Sequence, residues 1–230
     1  MTPQALMARR VAPLRLVIFD CDGVLVDSEP HSNRIVAASL SELGWPMTPD
    51  QANAAFLGST LGDMTAMIES WLGRPLPPDW TDTVIASHLR AMAEDLTAIP
   101  GAIEALDAIT LLGLPWRIAS NSAHEEMAVK FATVGLTAKV AGRVHSHRDV
   151  ARGKPAPDLF LATAAAEGVS PSACVVIEDS VPGARAAAAA GMDCLGYVPH
   201  DTGDALRAAG AVPFASMFEL PALIALGFLR

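Results

Sequence analysis

The sequence predicts an α/β fold: a Rossmann-like parallel sheet core with helices on both faces and an inserted all-helical cap domain. Two observations carry that prediction. Beyond residue 97, short apolar runs of strand type alternate with helical patterns, and such alternation builds a mostly parallel sheet covered on both faces. Between the first apolar run and the rest, residues 29–96 carry helical patterns with no strand among them. The expected division is an α/β core of residues 1–28 plus 97–230 and a helical cap of 29–96.

Leu14 to Phe19 is the first expected strand and Trp116 to Ala119 the second. Lys139 to Val144 is a weaker third, Cys174 to Ile177 the clearest, and Met192 to Val198 the fifth. Short apolar runs of this kind suit buried strands. The helix expected over Ala102 to Leu112 follows a Pro100-Gly101 start. Ala123 to Val134 opens on Glu125 and Glu126, which suit a first turn. Pro157 stands near the start of the next helix and Gly168 stops it, while the alanine-rich Val181 to Ala190 ends at Gly191. In the insert, Pro30 to Leu43, Pro49 to Ala55, Leu61 to Leu72 and Asp79 to Leu96 read as helices. Gly44, Gly58 and the Gly73 to Pro78 stretch punctuate them. An insert at this point suits a lid over the C-terminal strand ends, where open α/β sheets bind ligands.

The 230 residues are 51% hydrophobic and 18% charged, which supplies a sizeable core and argues against disorder. A net charge of −9 disfavours nucleic acid or an anionic membrane as partner. A small anionic ligand stays open, because one local cation overrides the global field. Cys21, Cys174 and Cys194 are too few and scattered for a disulfide framework or a zinc site. Cys174 and Cys194 read as buried small hydrophobes, and the apolar setting of Cys21 argues against a reactive thiol. Arg9 and Arg10 precede no apolar stretch of signal-peptide type, and no apolar run reaches the roughly 18 residues of a membrane span. A cytoplasmic protein, monomeric by default, is expected.

Four polar sites end apolar runs or open helices. Asp20-Cys21-Asp22-Gly23 follows the first strand. Two carboxylates one residue apart, with a glycine for the turn, suit a hard cation and covalent chemistry. Asp20 could offer one oxygen to a metal and the other to phosphorus. Asp22 could act as acid and base, provided its pKa is raised. The plainer reading is a helix-capping loop. Ser120-Asn121-Ser122 could hold phosphate oxygens or simply cap a helix. Lys154, between Gly153 and Pro155, could neutralise Asp20 and a phosphoryl group, or solvate a loop. Glu178-Asp179 closes the most apolar run, which suits Mg²⁺ or a capping Asp.

Together these residues resemble the haloacid dehalogenase superfamily over nearly the whole chain. Asp20-x-Asp22-Gly23-x-Leu25 is similar to its first motif, Ser120 to the second, Lys154 to the third and Glu178-Asp179 to the fourth. The helical insert resembles the small cap of the subfamily that includes β-phosphoglucomutase and many sugar-phosphate phosphatases. The resemblance implies an Asp20 nucleophile that forms an aspartyl-phosphate, and an Asp22 acid/base that gives the metal its backbone carbonyl. It implies phosphate-holding roles for Ser120, Asn121 and Lys154. Mg²⁺ is the implied cofactor, with Asp179 a ligand and Glu178 a direct or water-mediated one.

An acid at position 22 favours C–O–P chemistry, since an alkoxide leaving group needs a proton. The resemblance also implies that a mutase would carry a His just after the first motif and a cationic pair in a cap loop. Ser32 stands at the first position, with His31 one residue off, and Leu57 and Leu61 stand at the second. Hydrolysis of a small phosphate monoester, such as a sugar phosphate, is therefore expected. The alternatives are a phosphoglucomutase-type mutase and an inactive phosphate-ester-binding module. His145 and His147 read as a solvated loop, and Trp45, Trp71 and Trp80 as cap core. Asn33, Arg34, His88 and Arg90 could reach a substrate or merely solvate a helix face.

Overall fold

In chain order the elements begin with α1 (Pro3–Ala8), β1 (Leu16–Phe19), α2 (Glu29–Glu42), α3 (Pro49–Phe56), α4 (Leu61–Leu72) and α5 (Trp80–Asp95). Then come α6 (Ala102–Leu111), β2 (Trp116–Ser120), α7 (His124–Thr133), α8 (Thr137–Val140), β3 (Val144–Ser146) and α9 (Asp158–Ala166). The chain ends with β4 (Cys174–Glu178), α10 (Val181–Ala189), β5 (Asp193–Tyr197), α11 (Asp204–Ala208), β6 (Val212–Phe214) and α12 (Leu220–Phe228). This is a computed structural model. It describes residues 1–10, 12–56 and 61–228, without the side chains of Glu29 and Leu61. Two compact units emerge, Met1–Asp27 with Thr97–Arg230, and Ser28–Leu96.

In the first unit the strands pair in parallel in the order β3-β2-β1-β4-β5-β6. All residues of β1 and β4 are buried, as expected of central strands covered on both sides. Period-two alternation sends Leu16 and Ile18 to one face, where they join Val176, Leu159, Phe160, Ala184 and Ala187. Phe19 faces the other way and meets Trp116 edge-on at 6.4 Å.

The chain runs outward from β1 through β2 to β3, then crosses back to β4 on the other side of β1. Strand order therefore reverses between β1 and β4, and a crevice opens at the carboxyl ends of such a pair. Register places Phe19 opposite Ile177, and the Asp20 N–H donates to the Ile177 carbonyl at 2.9 Å. Asp20 and Glu178 thus emerge side by side.

Two sequence expectations need correction. Lys139 to Val144 is not a strand: Thr137–Val140 is a helical turn, and β3 starts only at Val144. The sheet also has an unanticipated sixth strand, in the short apolar run Ala211 to Phe214. Both β3 and β6 are three-residue edge strands, too short to carry a clear pattern, and β6 is interrupted by a proline. Pro213 sits on the β6 edge, a position where its missing N–H costs no central ladder bond.

The helical unit has its own core of Val36, Ala37, Leu40, Ala52, Phe56, Ile68, Trp80 and Val84. The Trp80 Nε1–H donates to Ser39 Oγ at 2.6 Å. Trp45 lies edge-on to Phe56 and stacks on Trp71 at 4.5 Å. Trp80 is buried, whereas Trp71 is exposed on its outer face, so the expectation of three core tryptophans holds only in part. Residues 57–60, including Leu57, and the Leu61 side chain lie outside the described residues.

Candidate active site

The loop after β1 is a tight turn. The Leu25 and Val26 N–H groups both donate to the Cys21 carbonyl, at 2.8 and 3.1 Å, and the Gly23 N–H donates to the Val26 carbonyl at 2.9 Å. Gly23 has φ +68°, and a Cβ there would lie 1.8 Å from Asp179 Oδ2. Glycine is required twice over, by the backbone conformation and by the approach of Asp179. Gly183, in the first turn of α10, serves Glu178 similarly: a Cβ there would fall 1.7 Å from Glu178 Oε1. Ser180 caps this helix, its Oγ accepting the Gly183 N–H at 3.1 Å.

Lys154 links the two central strands. Its buried ammonium donates to Glu178 Oε1 at 2.7 Å and lies 2.9 Å from Asp20 Oδ1, over the Phe160 ring. Burial disfavours its charge, but the two carboxylates more than offset this and hold its pKa above the ordinary value. Asn121 fixes the Lys154 backbone from both sides. Its Oδ1 accepts the Lys154 N–H at 2.9 Å and its Nδ2 donates to the Lys154 carbonyl at 3.0 Å. Gly153 allows this, since a Cβ there would lie 2.6 Å from Asn121 Oδ1. The Asn121 side chain thus positions the lysine.

Glu178 Oε2 accepts the N–H groups of Asp179 and Ser180 and the Ser180 hydroxyl. Burial pushes its pKa up, yet Lys154 and these donors bring it below the ordinary range. Asp20 moves the other way. Burial pushes it up to about 7, aided by the charges of Glu178 and Asp22 and opposed by Lys154. Oxygens of Asp20, Glu178 and Asp179 lie within 4.8 Å of one another. An all-carboxylate set seated against a glycine backbone fits a hard divalent cation such as Mg²⁺. The fit is better for Asp20 and Asp179 than for Glu178, whose two oxygens already accept four donors.

Asp22 faces a different cluster. Its Oδ1 accepts from Lys130 Nζ at 2.6 Å and its Oδ2 from Ser122 Oγ at 2.9 Å. Lys130 also reaches Ser122 Oγ at 2.9 Å and Glu126 Oε1 at 2.5 Å. Burial lowers the Lys130 pKa, but Asp22 and Glu126 more than offset this and raise it. The sequence reading supplied Asp22 with no partner, and here it has a buried cation. Ser120 is buried at the end of β2, its Oγ accepting the Ser122 N–H at 3.0 Å.

A family model for haloacid dehalogenase-like hydrolase matches residues 14–191. The chain belongs to that family. Its match spans every strand end just described except β5 and β6. The 6-phosphogluconate phosphatase of Escherichia coli is 28% identical over 91% of this chain and 94% of its own length. Hexitol phosphatase B of the same species is 31% identical over 91% of this chain and 96% of its own. A family hydrolase from Deinococcus radiodurans, solved with phosphate and sodium bound, superimposes with a TM-score of 0.80 at 36% identity. That match covers 94% of this chain and 98% of the other. This family member is an enzyme of the phosphatase type.

The structure brings Asp20, Lys154, Glu178 and Asp179 together, and places Asp22 and Ser120 on the adjoining side. Lys130 was missed by sequence reasoning, although a signal existed. It shares the buried face of α7 with Met127 and Phe131, three and one residues away, where a lysine needs a partner. His145 and His147 lie in and just after β3, half-buried, rather than in a solvated loop, and no metal-type cluster among the described residues includes them. The three cysteines are free and buried, Cys174 and Cys194 as expected. No helix among the described residues is long and apolar enough to cross a membrane.

Proposed function

We propose that this phosphatase hydrolyses a small phosphate monoester, a sugar or polyol phosphate, through an aspartyl-phosphate on Asp20. One observation carries the reading: Lys154 holds Asp20 beside Glu178 at the point where the strand order reverses, with Asp179 seated on Gly23. An Asp20 oxygen attacks phosphorus in line, and Asp22 protonates the departing alcohol. Lys154 and Ser120 hold the phosphoryl oxygens, Lys154 also keeping Asp20 in place. Asp22, now a carboxylate, takes a proton from water as it attacks phosphorus and frees Asp20.

Mg²⁺ would be held by Asp20, Asp179 and the Asp22 backbone carbonyl, with Glu178 nearby. When bound it would supply charge neutralisation at the transferring phosphoryl group. The helical unit 28–96 is carried in this proposal as the cap that selects the alcohol. The phosphatases of 6-phosphogluconate and hexitol phosphates among the relatives support a polyhydroxylated substrate.

The test is phosphate release from a panel of sugar, sugar-acid and polyol phosphates, with Mg²⁺ and with chelator. Release that needs Mg²⁺ is expected, and Asp20→Asn should abolish it while the circular dichroism spectrum stays unchanged. Release by Asp20→Asn at the wild-type rate would overturn the covalent route. Conversion of β-glucose 1-phosphate without phosphate release would turn the assignment to a mutase.

A further inference from the structure

Lys130 is the second buried lysine of the α/β unit, and the reaction as derived above gives it no task. Its side chain is 1% exposed. A buried ammonium is costly unless fully partnered, and this one has three partners: Asp22 Oδ1, Ser122 Oγ and Glu126 Oε1. Glu126 stands one helical turn before it on α7, so the helix presents both as a unit. Ser122 Oγ lies 2.9 Å from Asp22 Oδ2 and 3.1 Å from Glu126 Oε1, so its one proton can go to either carboxylate while it accepts from Lys130. The Ser122 carbonyl in turn accepts the Ser146 hydroxyl at 2.7 Å, which ties the serine to β3. Both oxygens of Asp22 are therefore claimed by side chains of the segment after β2.

We propose that Lys130 is a positioning residue for Asp22: with Ser122 it fixes the carboxyl of the acid/base, and so governs the proton transfers rather than the attack on phosphorus. The inference rests on the phosphatase reading above. Asp20 forms its bond to phosphorus as the ester P–O bond breaks. The departing oxygen takes the electron pair and receives the Asp22 proton. Water then bonds phosphorus, gives its proton to Asp22, and the Asp20–phosphorus bond breaks. The sum is ester plus water to alcohol plus phosphate. Lys130 acts only through the Asp22 carboxyl it holds, and both proton transfers depend on where that carboxyl sits. Misplacing a catalytic group by about 1 Å can cost about 10²-fold.

The leaving group separates positioning from mere support. A p-nitrophenolate departs without a proton, whereas a sugar alkoxide does not. In Lys130→Met, kcat for an alkyl phosphate is expected to fall by about 10–100-fold, within the range of acid–base contributions, with KM unchanged. With p-nitrophenyl phosphate the same variant should release the first equivalent of nitrophenolate per site at close to the wild-type rate. Steady-state turnover should then slow, because the base step is impaired. Lys130→Arg keeps the charge and should recover part of the alkyl-ester rate. Ser122→Ala keeps Lys130 and removes one Asp22 contact, so it should show the same leaving-group selectivity on a smaller scale, and it serves if Lys130→Met does not fold. Equal loss on both esters, in the first turnover as well as the steady state, would overturn the inference, as would no loss on either. No turnover of either ester by the wild-type enzyme with Mg²⁺ would instead overturn the phosphatase reading, and this inference with it.

Discussion

Two buried ammonium groups flank the loop after β1, and they are held in opposite ways. Lys154 stands between Asp20 and Glu178, whose side chains are 11% and 0% exposed. Lys130 stands between Asp22 and Glu126, which are 32% and 33% exposed. The lysines themselves are equally hidden. The carboxylates differ, and that decides what each pair does. If Lys154 is lost, Glu178 cannot reach water and Asp20 reaches it only at one edge. If Lys130 is lost, its partners can rehydrate in place. The first pair is part of the core; the second is anchored on one side and wet on the other, which suits a carboxyl that must exchange protons.

That contrast gives the largest expected stability effect. Lys154→Met strands two buried carboxylates and should cost about 3–5 kcal/mol of unfolding free energy. Lys130→Met leaves two half-exposed ones and should cost about 1–3 kcal/mol. Urea unfolding of both variants checks this, and equal losses would break the comparison.

The next effect concerns protons and metal. Burial raises the Asp20 pKa to about 7 in the folded protein, against 3.8 ordinarily. Between those values the folded state binds more protons at Asp20 than the unfolded one. Its contribution therefore turns unfavourable as pH rises from about 4 through about 7. Mg²⁺ needs the ionised form, so affinity should be full above about pH 7 and weaken about tenfold per unit below it. Calorimetric titration of Mg²⁺ at pH 8, 7 and 6 measures this, and a flat series would contradict it. Because Asp22 belongs to the wet side, Lys130→Arg should leave the profile where it is.

The smallest effect sets the baseline. Arg148 and Glu125 form a pair at 3.0 Å with side chains 58% and 74% exposed. Arg148→Ala should change stability by less than about 0.5 kcal/mol and leave turnover as it was. A larger loss would mean that exposure is the wrong variable for ranking these pairs.

Sequence alone determined the parts that depend on local pattern. The unbroken apolar runs of β1 and β4 announce central strands because both their faces are covered. The acids that follow them, Asp20 and the pair Glu178-Asp179, stand out because four apolar residues precede each. Gly153-Lys154-Pro155 marks a lysine whose backbone is restricted by the proline that follows it. The edge strands β3 and β6 were misplaced or missed because three residues are too few to show that contrast, and Pro213 argues against a strand. Only the tertiary structure decided which charges meet. Asn121 belongs to the Lys154 backbone 33 residues away, and Lys130 to Asp22 at a separation of 108. No local periodicity encodes such pairs. They arise because parallel crossovers bring the ends of β1, β2 and β4 to one edge of the sheet, where a buried charge must find its partner or not fold.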